Sequence, residues 1–219
     1  MSLVLNVDQS TGYQCPSGCT YCCEVWQPRV PIFYAEAARM ADKLRLPLER
    51  ITLDAESSTI DEFGTFRSEL ILSKVNGLIR DSPCSFYDNG CGEYENRPNT
   101  CRLFPNRFDY YVADNVELRL VPLDLCYWHL KRTNKEPNMT EIQEIAELEV
   151  RYVVSQLLAF RKLGLGGNVK EASKISFEIF KGLTIEKAVE LLVRLSKGLK
   201  IEGELDYKVQ EAMILKREL

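Results

Sequence analysis

The sequence predicts an α+β protein, in which a small cysteine-rich domain with few, short strands precedes an all-helical part. Two observations lead to this fold class. All eight cysteines of the 219-residue chain lie before residue 127, so the composition changes along the chain. After Pro137, apolar residues recur at the three- and four-residue steps of amphipathic helices. We therefore predict two regions, residues 1–137 and residues 138–219, the second being a helical bundle or a helical cover on the first.

The first region contains one predicted helix and three predicted strands. The helix is "PIFYAEAARMADKLRL", in which Pro31 suits the first turn and the alanines contribute to an apolar face. The strands are "FRSELILSK", "FDYYVAD" and "VELRLVPL", and the last two are predicted to pair through a turn at Asp114-Asn115. The turn-rich segment "YDNGCGEYENRPNT" predicts loops that need a constraint other than a large core, and a metal would supply it.

The second region contains four predicted helices. Thr140 and Gln143 form a capping-box pattern at the start of a long helix, which the glycines of residues 164–167 end. Thr184 is the predicted cap of the third helix, and Gly198 its end. The second and fourth predicted helices are "VKEASKISFEIFKGL" and "ELDYKVQEAMILKREL".

The overall charge argues against a nucleic-acid-binding protein. The chain carries a net charge of −4. Residues 1–137 hold 15 Lys and Arg against 19 Asp and Glu, and residues 138–219 hold 13 against 13. Because neither region is basic, we expect no nucleic-acid partner.

The apolar segments are too short for a membrane protein. No stretch approaches about 20 apolar residues, and the N-terminus lacks the pattern of a signal peptide. We therefore expect no membrane span and a cytoplasmic location. In that reducing compartment, cysteines serve more often in metal binding or redox chemistry than in disulfides.

The cysteines form two groups and a single later residue, and all eight are candidate metal ligands. The ligands are Cys15, Cys19, Cys22 and Cys23, then Cys84, Cys91 and Cys101, then Cys126. Cys19 and Cys22 are spaced as a knuckle that aims two sulfurs at one centre. Since the chain has a single histidine, its metal would be held mainly by sulfur, which favours zinc or an iron–sulfur cluster.

The adjacent pair Cys22 and Cys23 raises a geometric problem. Neighbouring side chains of an extended segment point to opposite faces. We therefore expect one of the two to ligate the main centre. The other would serve a second site, pair with a distant cysteine or pack as a small apolar residue.

The spacing Cys15-x3-Cys19-x2-Cys22 is similar to the cluster loop of radical S-adenosylmethionine enzymes. In those enzymes three cysteines bind [4Fe–4S], and the fourth iron holds the substrate's amino and carboxylate groups. Their loop is followed by repeated strand–helix units of a partial barrel. Here a helix, short strands, more cysteines and a helical tail follow, so this remains an alternative.

The whole pattern from residue 15 to residue 126 resembles the CxxCxxCC family of zinc- or iron-chelating proteins. The matching residues are Cys84, Phe86, Gly90, Cys91, Tyr94, Glu95, Arg97, Pro98, Cys101, Arg102, Phe104 and Pro105. One departure is the three residues, rather than two, between Cys15 and Cys19. The family takes in flagellin lysine N-methylase-like proteins. The resemblance implies metal or cluster binding, and an association with methyl transfer.

Several other side chains are candidates for the same site. Arg97 and Arg102 flank Cys101, so they could stabilise a negatively charged cluster or bind the carboxylate of S-adenosylmethionine. They could instead pair with acidic residues or hold the turn. His129 could reach the site of Cys126 or lie at the surface. Glu36, Asp42 and Asp54 could be catalytic carboxylates, but nothing in their spacing distinguishes them from parts of a solvated face, which is how we interpret them.

Taken together, the sequence predicts a protein that holds one [4Fe–4S] cluster and acts in methyl transfer or electron transfer. The alternatives are an interaction module with structural zinc and a radical S-adenosylmethionine-type enzyme. The sequence does not indicate whether the substrate is a small molecule or a protein, or what the oligomeric state is.

Overall fold

The computed structural model describes residues 1–7, 31–54, 59–60, 66–67, 70–72, 86, 96–104, 106–122, 138–163, 169–198 and 203–204. Its strands are β1 (Leu3–Val7), β2 (Pro31–Ile32), β3 (Thr52–Asp54), β4 (Thr59–Ile60), β5 (Phe66–Arg67), β6 (Leu70–Leu72), β7 (Asn106–Val112), β8 (Val116–Pro122) and β9 (Gly203–Glu204). Its helices are α1 (Tyr34–Leu44), α2 (Leu48–Ile51), α3 (Asn99–Leu103), α4 (Met139–Leu163), α5 (Val169–Gly182) and α6 (Ile185–Gly198). The protein has the predicted α+β fold.

The largest sheet has four strands in the order β1-β8-β7-β9. Strands β7 and β8 form the predicted antiparallel hairpin, with Val112 opposite Val116. Strand β1 joins β8 in parallel, with Leu3 opposite Val116. The Ser2 amide donates to the Asn115 side chain at 2.8 Å, which ties the start of the chain to the hairpin turn. Strand β1 was not predicted, because its partner lies more than a hundred residues away.

The two faces of this sheet differ in polarity. Side chains of β7 and β8 alternate, so that residues such as Val112 and Leu118 are buried beneath α4 and α6. On the other face, the Arg119 guanidinium lies 4.2 Å from the centre of the Tyr111 ring and bonds Glu117 at 2.7 Å. This alternation is typical of an antiparallel pair with one covered face.

Helix α4 is buried on both sides. Residues 152–157 are all buried, because the sheet packs on one side of the helix while α1 and α5 pack on the other. Tyr152 stacks between Phe33 and Phe180, with ring centres 5.7 and 4.6 Å away. Two polar side chains in this stretch are hydrogen-bonded, since Gln156 accepts the Tyr34 amide at 3.3 Å and Ser155 contacts Ser176 at 3.1 Å. Helix α4 therefore lies between the main sheet and the pair of helices α1 and α5.

The short strands correct two predictions. "FRSELILSK" contains two strands, of which β5 pairs with β4, and β6 pairs with β2 and β3. Pro31 does not begin a helix but lies in β2 opposite Ile71, and α1 begins at Tyr34. A proline lacks the amide that a strand interior needs, so it fits the first residue of a two-residue strand.

The caps of the later helices also differ in part from the prediction. Helix α4 begins at Met139, and its cap is Asn138, whose side chain accepts the Glu141 amide at 3.3 Å. The predicted cap at Thr140 is therefore wrong by two residues, because asparagine is an equally good cap and stands first. Thr184 is confirmed as the cap of α6, and that helix ends at Gly198 as predicted.

Helix α5 confirms the second predicted helix, whereas the fourth lies outside the described residues except for Glu204, which is in β9. The main core joins residues of the sheet to residues of α4 and α6, so both predicted regions contribute to it. The division at residue 137 stays a prediction. None of the helices in the described ranges has the length and apolarity that crossing a bilayer requires.

Replacing Leu118 by alanine tests the role of the sheet in the core. Leu118 is 0% exposed, so we expect the free energy of unfolding to fall by about 2–5 kcal/mol. Urea denaturation would measure the loss. The matched control is Leu46→Ala, because Leu46 is 39% exposed and should cost little. Equal losses in the two variants would contradict the core assignment.

Candidate metal centre

Cys101 is the one predicted metal ligand within the described residues. It is a half-buried thiol rather than part of a disulfide, and it lies on the five-residue helix α3. With Phe86, it packs against the apolar cluster around Met40 and Ile51. The Pro98 carbonyl accepts the amides of Cys101 and Arg102 at 2.9 and 3.0 Å, which closes the first turn. A thiol is the donor that zinc and iron–sulfur clusters take from proteins, so this residue fits either group.

Helix α3 is held at its start by a buried carboxyl group. The Asn99 amide donates to Glu36 Oε1 at 2.8 Å, and Arg39 Nη2 lies 3.9 Å from the same oxygen. Glu36 is 0% exposed. Its burial raises its pKa to about 7, although the amides of Asn99 and Phe33 and the charge of Arg39 oppose that rise. The interpretation of Glu36 as part of a solvated face is therefore wrong.

The burial of Glu36 follows from its place in α1. Phe33 is the N-cap of this helix, so Glu36 is its third residue, whose side chain can turn back to the cap amide. Asp42, further along the same helix, is exposed as expected, and nothing is described of the Asp54 side chain. The first turn of α1 is thus enclosed, whereas its last turn reaches solvent.

A second buried carboxyl group, Glu149 of α4, is coupled to the first. Tyr110 donates its hydroxyl to Glu149 Oε2 at 2.6 Å. Burial raises the pKa of Glu149 to about 7, and the nearby charge of Glu36 raises it further, while the bond from Tyr110 opposes the rise. Because the two carboxylates repel each other, protonation of one favours ionisation of the other near neutral pH.

Several polar atoms around these carboxyls have no hydrogen-bond partner in the described part of the chain. They are Glu36 Oε2, Arg39 Nε, both side-chain polar atoms of Asn99 and the Tyr152 hydroxyl. Burial, together with the charge of Glu36, raises the pKa of Tyr152 above its ordinary value. We call Glu36, Asn99, Glu149 and Tyr152, together with the half-buried Arg39, the buried polar cluster.

The two candidate cofactor-binding arginines stand on either side of Cys101. Arg102 Nη2 donates to Glu141 Oε1 at 3.3 Å, which ties α3 to the first turn of α4. This ion pair is one of the alternatives that the sequence left open for Arg102. Arg97 is half-buried just before α3. A role for either residue in binding a cofactor stays a prediction.

The remaining predicted ligands lie outside the described residues. They are Cys15, Cys19, Cys22, Cys23, Cys84, Cys91 and Cys126, and His129 is also outside. Among the described side chains, no three His, Cys, Asp or Glu residues converge in a way that could hold a metal ion. The grouping of the cysteines into centres therefore stays a prediction.

A comparison with protein families supplies the identity of the cysteine-rich region. A family model matches residues 14–126, and its description is "Putative zinc- or iron-chelating domain". The chain belongs to the CxxCxxCC family. The match spans more than half of the chain and includes every predicted cysteine ligand, so it confirms the resemblance and supports metal binding. No curated protein and no solved structure shows a significant match.

The buried polar cluster of this CxxCxxCC protein was not predicted from its sequence. Glu149 had a detectable signal, because it lies seven residues after Ile142 and four before Val153, on the apolar stripe of α4. A charged residue on such a stripe indicates a buried, partnered group. Glu36 had a weaker signal, since it stands between two alanines whose small side chains allow close packing.

The raised pKa of Glu149 predicts a pH dependence of stability. The folded protein holds this proton more tightly than the unfolded chain does between pH 4.5 and about 7. The free energy of unfolding should therefore fall as the pH rises through that range, by on the order of 1–3 kcal/mol, and then level off. In Glu149→Gln this decline should be shallower.

Urea denaturation at pH 5 and pH 8 measures the effect. Metal binding by thiolates also depends on pH, so the informative quantity is the difference between the variant and the wild type. The matched control is Glu144→Gln, an exposed position on the same helix, which should keep the wild-type slope. A wild-type slope in Glu149→Gln would refute the assignment.

Proposed function

We propose that this protein holds a [4Fe–4S] cluster through cysteine thiolates and that Cys101 is one of the ligands. The observation that supports this most is the family match, because all eight cysteines lie in the region that it spans and iron–sulfur clusters take cysteine thiolates as ligands. Cys101 itself is a half-buried thiol on a helix whose first amide bonds a buried carboxyl group. The other ligands would come from the seven cysteines outside the described residues.

The reaction that we propose is methyl transfer or electron transfer. Such a cluster, when bound, supplies one-electron chemistry. The resemblance to flagellin lysine N-methylase-like proteins favours methyl transfer, for which S-adenosylmethionine would be the donor. Arg97 and Arg102 would place positive charge beside a cluster of negative charge, or bind the carboxylate of that donor. A cytoplasmic location suits this chemistry, because thiols stay reduced there.

A second candidate is a structural zinc site in a binding module. The family description names zinc as well as iron, which is the observation that favours it. A zinc ion with four thiolate ligands would tie together the turn-rich segments, because metal binding and folding are coupled in such domains.

Metal analysis of protein prepared without oxygen distinguishes the two candidates. If the protein holds an iron–sulfur cluster, it should be brown, with broad absorbance near ~400 nm and about four irons per chain. Replacing Cys101 by serine should lower the iron content and the absorbance together. A colourless protein with stoichiometric zinc would overturn the iron–sulfur proposal and support the zinc site.

The adjacent cysteines provide a further test. Neighbouring side chains of an extended segment point to opposite faces, so Cys22 and Cys23 should not serve one centre equally. We expect Cys22→Ser and Cys23→Ser to lose different amounts of metal under the same preparation. Each variant acts as the control for the other, since the substitution is the same. Equal losses would count against the opposite-face argument.

A further inference from the structure

We infer that Glu36 is a positioning residue for the metal centre: by bonding the first amide of α3, it sets where the Cys101 thiol stands. The inference rests on the proposed function, because it takes Cys101 as a metal ligand. Glu36 itself belongs to α1, and the contact crosses 63 residues of sequence. It therefore joins the cysteine-bearing helix to a different part of the fold.

Helix α3 needs such a contact because of its length and its cap. It has only five residues, and isolated helices of that length are unstable in water. Its N-cap, Pro98, makes no side-chain capping bond. The first amides of a helix lack partners within the helix, so they must be bonded from outside. For Asn99, the Glu36 carboxyl provides that bond.

The bond from Glu36 is also a stronger restraint than the neighbouring ion pair. Arg102 and Glu141 are 22% and 44% exposed, and ion pairs that solvent reaches contribute little. Glu36 is wholly buried, so losing its bond to the Asn99 amide would cost free energy, because neither partner is exposed to water that could replace the other. The Glu36 bond is therefore a firmer restraint on the start of α3 than this ion pair, while the buried Leu103 holds the end of the helix in the main core.

Cys101 is close to Asn99 in α3, so a bond that fixes the Asn99 amide also constrains the position of the Cys101 sulfur. Asn99 and Cys101 lie within one turn of α3, because a helical turn takes 3.6 residues. Residues that orient a metal ligand without touching the metal typically change metal affinity by 10- to 100-fold when they are replaced. Loss of the Glu36 bond should thus weaken metal binding through Cys101.

The backbone donor can be removed with a matched pair of variants. Asn99→Pro lacks the amide hydrogen, and proline is well accepted at the first position of a helix. Pro98 already has φ −63° and ψ 156°, the extended conformation that a following proline requires. Asn99→Ala removes the same side chain but keeps the amide. We expect Asn99→Pro to bind zinc about 10-fold more weakly than Asn99→Ala does.

The carboxyl side of the bond is tested by Glu36→Ala and Glu36→Gln. The alanine variant should bind zinc about 10-fold more weakly than the wild type, and the glutamine variant, which keeps an acceptor oxygen, should restore most of the affinity. The control for general destabilisation is Leu192→Ala, since Leu192 is buried on α6, which carries none of the predicted metal ligands. If Leu192→Ala loses as much zinc affinity as Glu36→Ala, the inference is overturned.

The measurement is competition between the metal-free full chain and a chromophoric zinc chelator, made without oxygen. A second readout is cobalt(II), whose sulfur-to-metal absorbance should weaken in Glu36→Ala and Asn99→Pro but not in Leu192→Ala. If Glu36→Ala does not fold, the two Asn99 variants still decide the question. Equal zinc affinity in those two would refute the inference.

The Cys101→Ser variant separates this inference from the proposed function. If Glu36 acts through Cys101, adding Glu36→Ala to Cys101→Ser should cause no further loss of zinc affinity. An additive loss would show that Glu36 acts elsewhere. If Cys101→Ser keeps the wild-type affinity, the ligand assignment fails and the inference falls with it. If Cys101→Ser binds weakly but Glu36→Ala and Asn99→Pro do not, only the inference fails.

Discussion

The hydrogen bond from the Asn99 amide to the buried Glu36 carboxyl is the constraint that ties the cysteine-bearing helix α3 to helix α1. Helix α1 carries Glu36, and it is held in place by packing against α4 and α5. Helix α4 in turn covers the main sheet. Helix α3 also contacts α4 and β7 directly, and its Leu103 belongs to the main core, so the position of Cys101 depends on the same packing that holds the sheet.

The buried polar cluster places two carboxyl groups, Glu36 and Glu149, in a mostly apolar interior. Burial alone would favour protonated carboxyls, while the amides around Glu36 and the hydroxyl of Tyr110 favour charged ones. These opposing effects leave both pKa values at about 7. The cluster is tolerated because its neighbours are well-packed apolar groups: Phe33 and Phe180 stack on Tyr152, and α4 is buried on both sides.

The sequence predicts the local features of this fold better than the distant ones. The hairpin of β7 and β8 depends on alternation and a nearby turn, so it could be predicted, whereas β1 pairs in parallel with a strand that residue spacing alone does not indicate. The cysteine pattern led to the correct family because the ligands themselves define it. Glu36 and Asn99 could not be found in the same way, since their burial arises only when α1 and α3 meet.

Cys101 differs from the ligands predicted in turn-rich sequence, because it lies on a helix that is held by contacts with the rest of the protein. Its helix is fixed by protein contacts at both ends, through Glu36 at its first amide and through Leu103, which is buried in the main core. A ligand held in this way costs little conformational entropy when it binds a metal. For ligands in segments rich in Gly, Asn and Pro, the sequence predicts no such contacts. Ordering those ligands would then use part of the free energy of metal binding. In the proposed centre, the affinity for metal would depend on how many of the thiolates the protein orders before the metal binds, and Cys101 would be one of these.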